Sequence, residues 1–234
     1  MAERPLYIPV AEGSALVRTK YIEFQWFPGM AASQKQRSVD SLHSAALKQL
    51  DISQVLEVSS KSREELGVAL SAFNLTFTTV KFKRTFTVEC AFQGSKVFER
   101  GGPFTDIFEM TSREAKKDER LRSSGRLTGF HFSGADWGLE PQTAFYDWLY
   151  INALKKHPGL TERLLEYSAF TDIEFNPKRS INCQAYSVAL YLSLVKRNLL
   201  DEALSSQASF LRTVGNAVVS NAREDETLQG GLRF

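Results

Sequence analysis

A carboxylate, an amide and an amine recur at helical spacing in the segment Thr87-Val88-Glu89-Cys90-Ala91-Phe92-Gln93-Gly94-Ser95-Lys96. Read as a helix, it sets Glu89, Gln93 and Lys96 on one face, at i, i+4 and i+7. That set suits chemistry at a sugar carbon. A carboxylate stabilises positive charge developing at an anomeric centre, and an amine attacks that carbon or holds a phosphate. The alternative for the same spacing is a solvated charged face. Lys35 and Arg37 form a second group, in the first turn of a helix that takes Ser33 as its N-cap. Cations there oppose the helix dipole, so they serve stability poorly and an anion well.

The elements that must position these groups are legible in outline. Residues 6–9 and 21–27 read as extended, the latter ending at Pro28-Gly29, and residues 55–58 as a buried strand. Residues 76–86 are rich in Thr, Phe and Val and read as a strand or hairpin that enters the Glu89 helix. The Ser33 helix carries Val39, Leu42 and Ala46 inward, and the glycine-rich middle holds a short helix over 112–121. Further helices are expected over 141–156, 159–167, 181–197 and 201–219, with Ser180 capping the third of these and Phe145, Trp148 and Leu149 forming the stripe of the first. The fold class is therefore α+β, mostly helical, as one domain with a small β-sheet.

Composition narrows the function. With 234 residues, 43% of them hydrophobic and 24% charged, the chain buries a core easily. A net charge of +2 is not that of a dedicated nucleic-acid binder, so such a ligand would need a local patch. Two cysteines, Cys90 and Cys183, and the scattered His43, His131 and His157 give no metal-ligand spacing. No metal or cofactor is expected. No apolar stretch is long enough to span a bilayer, and there is no signal peptide, so no membrane association and a cytoplasmic location are expected.

The Glu89 segment resembles the signature of the NADAR family, Thr-x-Glu-x-x-Phe-Gln-x-x-Lys, which Thr87, Glu89, Phe92, Gln93 and Lys96 match. Leu70-Ser71-Ala72-Phe73 is similar to the family's Ser-Asn-Phe element, with Ala72 in place of Asn. Trp137 ahead of a long helix, Leu164-Leu165, Asp172-Ile173-Glu174, and Asn182 with Ala185 resemble its later elements. Where many members carry Asp-x-x-Trp-Gly, this chain reads Phe175-Asn176-Pro177-Lys178-Arg179-Ser180. The N-terminal block, Tyr21 to Gly29 and then Ser33 to Ser38, is similar to the branch that accompanies DarT-type toxins. Those toxins ADP-ribosylate guanine in DNA, and the branch removes the ADP-ribose.

The resemblance implies an N-glycosidase acting on ADP-ribosylated guanine in DNA, with a DarT-type toxin as its counterpart. It implies an N-terminal extension over 1–53 packed on a NADAR-like catalytic domain over 54–222, with a flexible tail over 223–234. Glu89 would stabilise the oxocarbenium-like state or move the proton that opens the ribose, and Lys35 or Lys96 would attack the anomeric carbon. Lys35 and Arg37 would otherwise take the diphosphate. Trp26, Arg37, Ser71, Phe73, Gln93, Trp137, Asp172, Glu174 and Asn182 would contact substrate. Two other functions fit the resemblance: an N-glycosidase on a phosphorylated riboflavin-pathway intermediate, and a non-catalytic antitoxin.

The remaining candidates each carry two readings. Trp26 and Trp137 are stacking platforms for a base or core residues, and Trp148 reads as core. Lys81, Lys83 and Arg84, alternating with Val80 and Phe82, face DNA phosphates or guard a sheet edge. Lys61 and the pair Lys178-Arg179 are further phosphate candidates. Asp172 and Glu174, near the end of a helical segment, share a face if the chain there is extended, and Asn182 falls in a first helical turn where it could reach a base edge or a phosphate.

Overall fold

Residues 1–79, 83–178 and 180–215 are described by the computed structural model. Val80, Lys81, Phe82, Arg179, the end of the last expected helix and the tail from Arg223 lie outside the described residues, as do the readings that fell on them.

The first half of the chain runs β1 (Ala2–Pro9), β2 (Val17–Phe24), α1 (Ala32–Leu50), β3 (Val55–Glu57), α2 (Glu65–Ala69), β4 (Thr76–Thr78), β5 (Thr85–Thr87), α3 (Val88–Gly94) and β6 (Lys96–Phe98). A 3₁₀ turn at Thr105–Glu109 leads to α4 (Ser112–Lys117), α5 (Arg120–Ser123), β7 (Leu127–Phe132) and β8 (Ala135–Trp137). The last part holds α6 (Ala144–Lys155), α7 (Pro158–Leu164), β9 (Ala169–Thr171), α8 (Gln184–Lys196), α9 (Leu200–Leu204) and α10 (Gln207–Gly215). The α+β, mostly helical class is borne out.

The main sheet has the order β2-β1-β9-β3. β1 and β2 pair antiparallel from Ala2 opposite Phe24 to Pro9 opposite Val17. β9 pairs parallel with β3 and meets β1 where Tyr7 faces Phe170. Successive strand residues point to opposite faces, and both faces are buried. Leu6, Val55 and Ala169 join Val39, Leu42 and Ala46 of α1 in one apolar layer. Their neighbours Tyr7, Leu56 and Phe170 join the larger core on the other side. The centre of that core is α8, buried at every residue from Ala185 to Leu194, as a helix apolar on all sides must be. A hairpin, β4-β5, and a second antiparallel sheet, β6-β7-β8, complete the structure.

Several expectations need correction. Ala31, not Ser33, holds the N-cap position of α1, and no side chain caps that end. Serines further along secure the entry instead. Ser38 Oγ accepts from Phe27 N–H at 3.0 Å and Ser41 Oγ from Gln25 N–H at 3.2 Å. The extended piece ending at Phe27 is β2, which begins earlier and stops at Phe24. The helix expected over 112–121 breaks at Asp118 into α4 and α5. α6 begins at Ala144, not at Pro141, and α8 at Gln184, so Ser180 caps no helix. Of the two readings for residues 76–86, strand or hairpin, the hairpin holds: Thr76–Thr78 pairs antiparallel with Thr85–Thr87.

Candidate active site

Glu89 projects from a helix that the sequence starts firmly. Thr87 Oγ1 caps α3 by accepting from Cys90 N–H at 3.2 Å. The other free N–H groups of its first turn find backbone partners: Val88 donates to Leu75 O and Glu89 to Ala72 O, each at 2.9 Å. The segment Ser71-Ala72-Phe73 is thereby fastened to α3. Gln184 fastens it from the far side, its Oε1 accepting from Ala72 N–H and its Nε2 donating to Val58 O, both at 2.7 Å. A third tie runs from Thr87 Oγ1 through Ser112 Oγ to the carbonyl of Phe73, at 2.7 and 2.9 Å. With both backbone groups of Ala72 committed and its side chain buried, the alanine fits where the family has asparagine.

These ties frame a cavity of about 300 Å³. Glu89, Gln93, Ser71, Phe73, Asp172, Glu174 and Asn182 all line it. All were singled out from the sequence, and the fold brings them together. Aromatic walls come from Phe92, Tyr146 and Phe175, the last from the segment that departs from the family pattern. Tyr146 stands edge-on to Phe92 at 5.1 Å.

Glu89 is 7% exposed and accepts from Gln93 Nε2 at 2.9 Å. An ionised carboxylate offers only acceptors, so that bond fixes the orientation of the amide. Gln93 Oε1 then turns away from Glu89 and is buried without a donor, as is Asn182 Oδ1. Two buried acceptors without donors suit a ligand that brings hydroxyl or N–H groups.

Lys96 requires a correction. α3 ends at Gly94, and Lys96 opens β6, so the face holds Glu89 and Gln93 without it. Its ammonium lies 4.8 Å from the centre of the Phe92 ring and is not among the lining groups. Burial lowers its pKa, Glu89 opposes that, and Lys116 adds to it. Lys116, on α4, is the lysine that lines the cavity, with its amine over Phe73 at 5.2 Å. A Thr111-x-x-Glu114 capping box starts α4 and is the sign of that helix in the sequence.

Lys35 reaches the cavity through its ion pair with Glu174 at 3.1 Å. Trp26 carries two cations over its ring, Lys35 at 4.9 Å and Arg4 at 5.3 Å. Arg37 stacks on Phe27 at 4.1 Å, exposed and away from the cavity. Trp137, read as a possible platform, is 3% exposed and packs on Phe145 and Trp148 in the core. Asp172 follows strand β9, not a helix, and its Oδ1 closes a turn by accepting from Glu174 N–H at 2.9 Å and Phe175 N–H at 3.2 Å. Asn182 lies ahead of α8, outside its first turn. Lys83 and Arg84 sit in the hairpin loop, where Arg84 pairs with Glu109.

A second cavity of about 330 Å³ lies beside α8 and α10. Its Arg197 is committed to the carbonyls of Val10, Gly13 and Ala15, closing the β1–β2 loop. Among the described residues, no group of three or more His, Cys, Asp or Glu is placed to hold a metal, and no helix is long and apolar enough to cross a membrane.

Comparison with known proteins adds one match. The sequence model of a family described as DarT1-associated NADAR antitoxin matches residues 2–224. No curated protein matches the chain.

Proposed function

The chain belongs to the DarT1-associated NADAR antitoxin family, and from that premise we propose that it is an N-glycosidase that removes ADP-ribose from guanine bases in DNA. The observation that carries the reading is Glu89, a buried carboxylate held by Gln93 at the wall of a cavity with unpartnered acceptors. As the bond between ribose C1 and guanine lengthens, positive charge grows on the sugar, and a fixed carboxylate beside it lowers the barrier. Gln93 Oε1 and Asn182 Oδ1 accept from ribose hydroxyls or the base edge. Ser71, Phe73 and Glu174 line the same cavity.

Lys116, the lysine that lines the cavity, serves the diphosphate. Lys35 is the lysine we assign as nucleophile, ahead of Lys96, because it is tied to the lining residue Glu174. Lys35 first gives one ammonium proton to its partner Glu174. Its amine then bonds to C1 as guanine leaves. The C1–O4′ bond opens, and a proton moves from Nζ to O4′ to leave an imine. Water adds to C1 and displaces the lysine, releasing ADP-ribose while Glu174 returns its proton. Trp26 holds Lys35 in place. The proposed counterpart is a DarT1-type toxin that writes the modification this chain erases, in the cytoplasm.

The test is direct. The purified protein is incubated with a guanine-ADP-ribosylated oligonucleotide and, beside it, a thymine-ADP-ribosylated one. Free ADP-ribose from the guanine substrate alone is expected, and no release from it overturns the reading. Borohydride present during turnover is expected to trap a protein–ADP-ribose adduct that Lys35→Arg abolishes and Lys96→Arg keeps. An adduct that survives Lys35→Arg removes Lys35 from the role.

A further inference from the structure

Glu57 is bonded to Thr171 and Ile173, the residues on either side of Asp172, which lines the cavity, and the reaction above leaves the proton of these two carboxyl groups unassigned. Glu57, at the end of β3, is 2% exposed. Its Oε1 accepts from Ser59 Oγ at 2.6 Å and Ile173 N–H at 2.8 Å, and its Oε2 from Thr171 Oγ1 at 2.8 Å. Thr171 has a single hydroxyl proton and gives it to Glu57, so the 2.9 Å bond to His43 is donated by His43 Nε2. Burial pulls the His43 pKa down to about 4, so the ring is neutral and supplies that one proton as a donor. Burial raises the pKa of the Glu57 carboxyl, and the donors that face both its oxygens oppose that and favour its charged form.

Asp172, just after β9, lines the cavity and is 7% exposed. The turn takes its Oδ1. Oδ2 is the oxygen left for a proton. Burial, and then the Glu57 charge, push the Asp172 carboxyl well above the usual carboxylate range. Other groups act on it from every side. Glu174 adds negative charge from the same turn and is itself paired with Lys35. Arg4 of β1 offers partial compensation. Tyr7 of β1, Tyr146 and Tyr150 of α6, and Cys183 ahead of α8 are raised by burial and stay neutral. Two carboxylates that act on each other in a buried site do not both ionise.

We propose that Glu57 and Asp172 share one proton, held on Asp172, and that Asp172 is the general acid that passes it to the departing guanine, with Glu57 as the positioning residue that keeps the proton there. The proposal rests on the N-glycosidase reading. As the C–N bond breaks, its electron pair stays on the guanine nitrogen, and the Asp172 proton goes to that nitrogen. When water displaces the lysine, its oxygen bonds to C1, the C1–Nζ bond breaks, and the proton lost by the water returns to Asp172.

The first arm of the test needs no substrate. Infrared titration of the full chain carrying Asp147→Asn, which removes a further raised carboxyl, is expected to show a neutral carboxylic-acid band at pH 7 that Asp172→Asn removes. In Glu57→Gln that band is expected to vanish at a pH at least one unit lower. The second arm follows ADP-ribose release against pH. Asp172→Asn is expected to slow release about a hundredfold and flatten the alkaline limb, Asp172→Glu to restore part of both, and Glu57→Gln to move the limb down by a unit or more. A band that survives Asp172→Asn, or an alkaline limb unmoved in Glu57→Gln, overturns the proposal. If Glu57→Gln does not fold, the Asp172→Asn band and profile decide alone. The expected band with no release from any substrate would instead overturn the glycosidase reading and leave the shared proton standing.

Discussion

Glu89→Gln lowers ADP-ribose release by about a thousandfold, the scale expected when a preorganised group facing the developing charge is lost, and leaves the fold intact. The substitution keeps the shape of the side chain and removes its charge. Gln93 Nε2 can still donate to the oxygen that replaces the carboxylate. The Thr87 cap and the backbone ties from Glu89 to Ala72 and Val88 to Leu75 involve none of the altered atoms. Thermal melting and circular dichroism should therefore match the parent protein, while kcat on the guanine-modified oligonucleotide falls. A variant with near-parental rates removes Glu89 from the chemistry. A variant that releases nothing yet still protects cells from a DarT1-type toxin identifies a binding antitoxin instead.

Asp147→Asn raises stability at pH 8 and leaves it nearly unchanged at pH 4. Asp147 lies on α6, 3% exposed, and accepts from Ser187 Oγ at 2.6 Å. Burial pushes its pKa up to about 7 against the bonds from Ser187 and Thr143. An unfolded chain releases this proton near pH 4 and the folded one near pH 7. Between those values the folded state holds the extra proton, so its stability falls as pH rises, and above pH 7 the loss is complete. At about 1.4 kcal/mol for each pH unit, the loss is roughly 3–4 kcal/mol. Asparagine never ionises and avoids it. A rise of several degrees in Tm at pH 8 is expected, shrinking to little at pH 4. His43, whose depressed pKa costs stability as pH falls from about 6.5 toward 4, acts equally on both proteins. Parallel Tm–pH curves would mean that Asp147 is not held neutral.

Residue spacing revealed the site better than it revealed the frame. Glu89 and Gln93 lie four apart within one helix, and a helix converts spacing into direction without outside help. Gly94, a residue type that commonly ends helices, is the local sign that α3 stops before Lys96. The stop comes from β6, whose ladder with β7 pairs Lys96 with Phe130 and competes for the same residues. β9 was missed because three residues are too few to show a period. Its partners, β1 and β3, lie far away in sequence. Asp172 therefore reads as either the end of a helical segment or extended chain, and its link to Glu57 through Thr171 and Ile173 is not visible in the spacing. Lys116 and Gln184 reach the cavity by tertiary placement alone. Trp137 shows the opposite error: an aromatic residue ahead of a helix reads equally as platform or core, and only the neighbouring Phe145 and Trp148 decide.

β1 precedes the other strands among the described residues, and it waits the longest for its most distant partner, β9. Its pairing with β9 joins Tyr7 to Phe170, and at the same end Val10 N–H donates to Ser193, 183 residues further on. At 5–20 residues per second the nascent chain spends roughly ten to forty seconds with that edge open. Until β9 emerges there is no Asp172 turn, and until α8 emerges there is no Gln184 to lock Ala72. A chain that stops short of α8 therefore cannot complete the cavity.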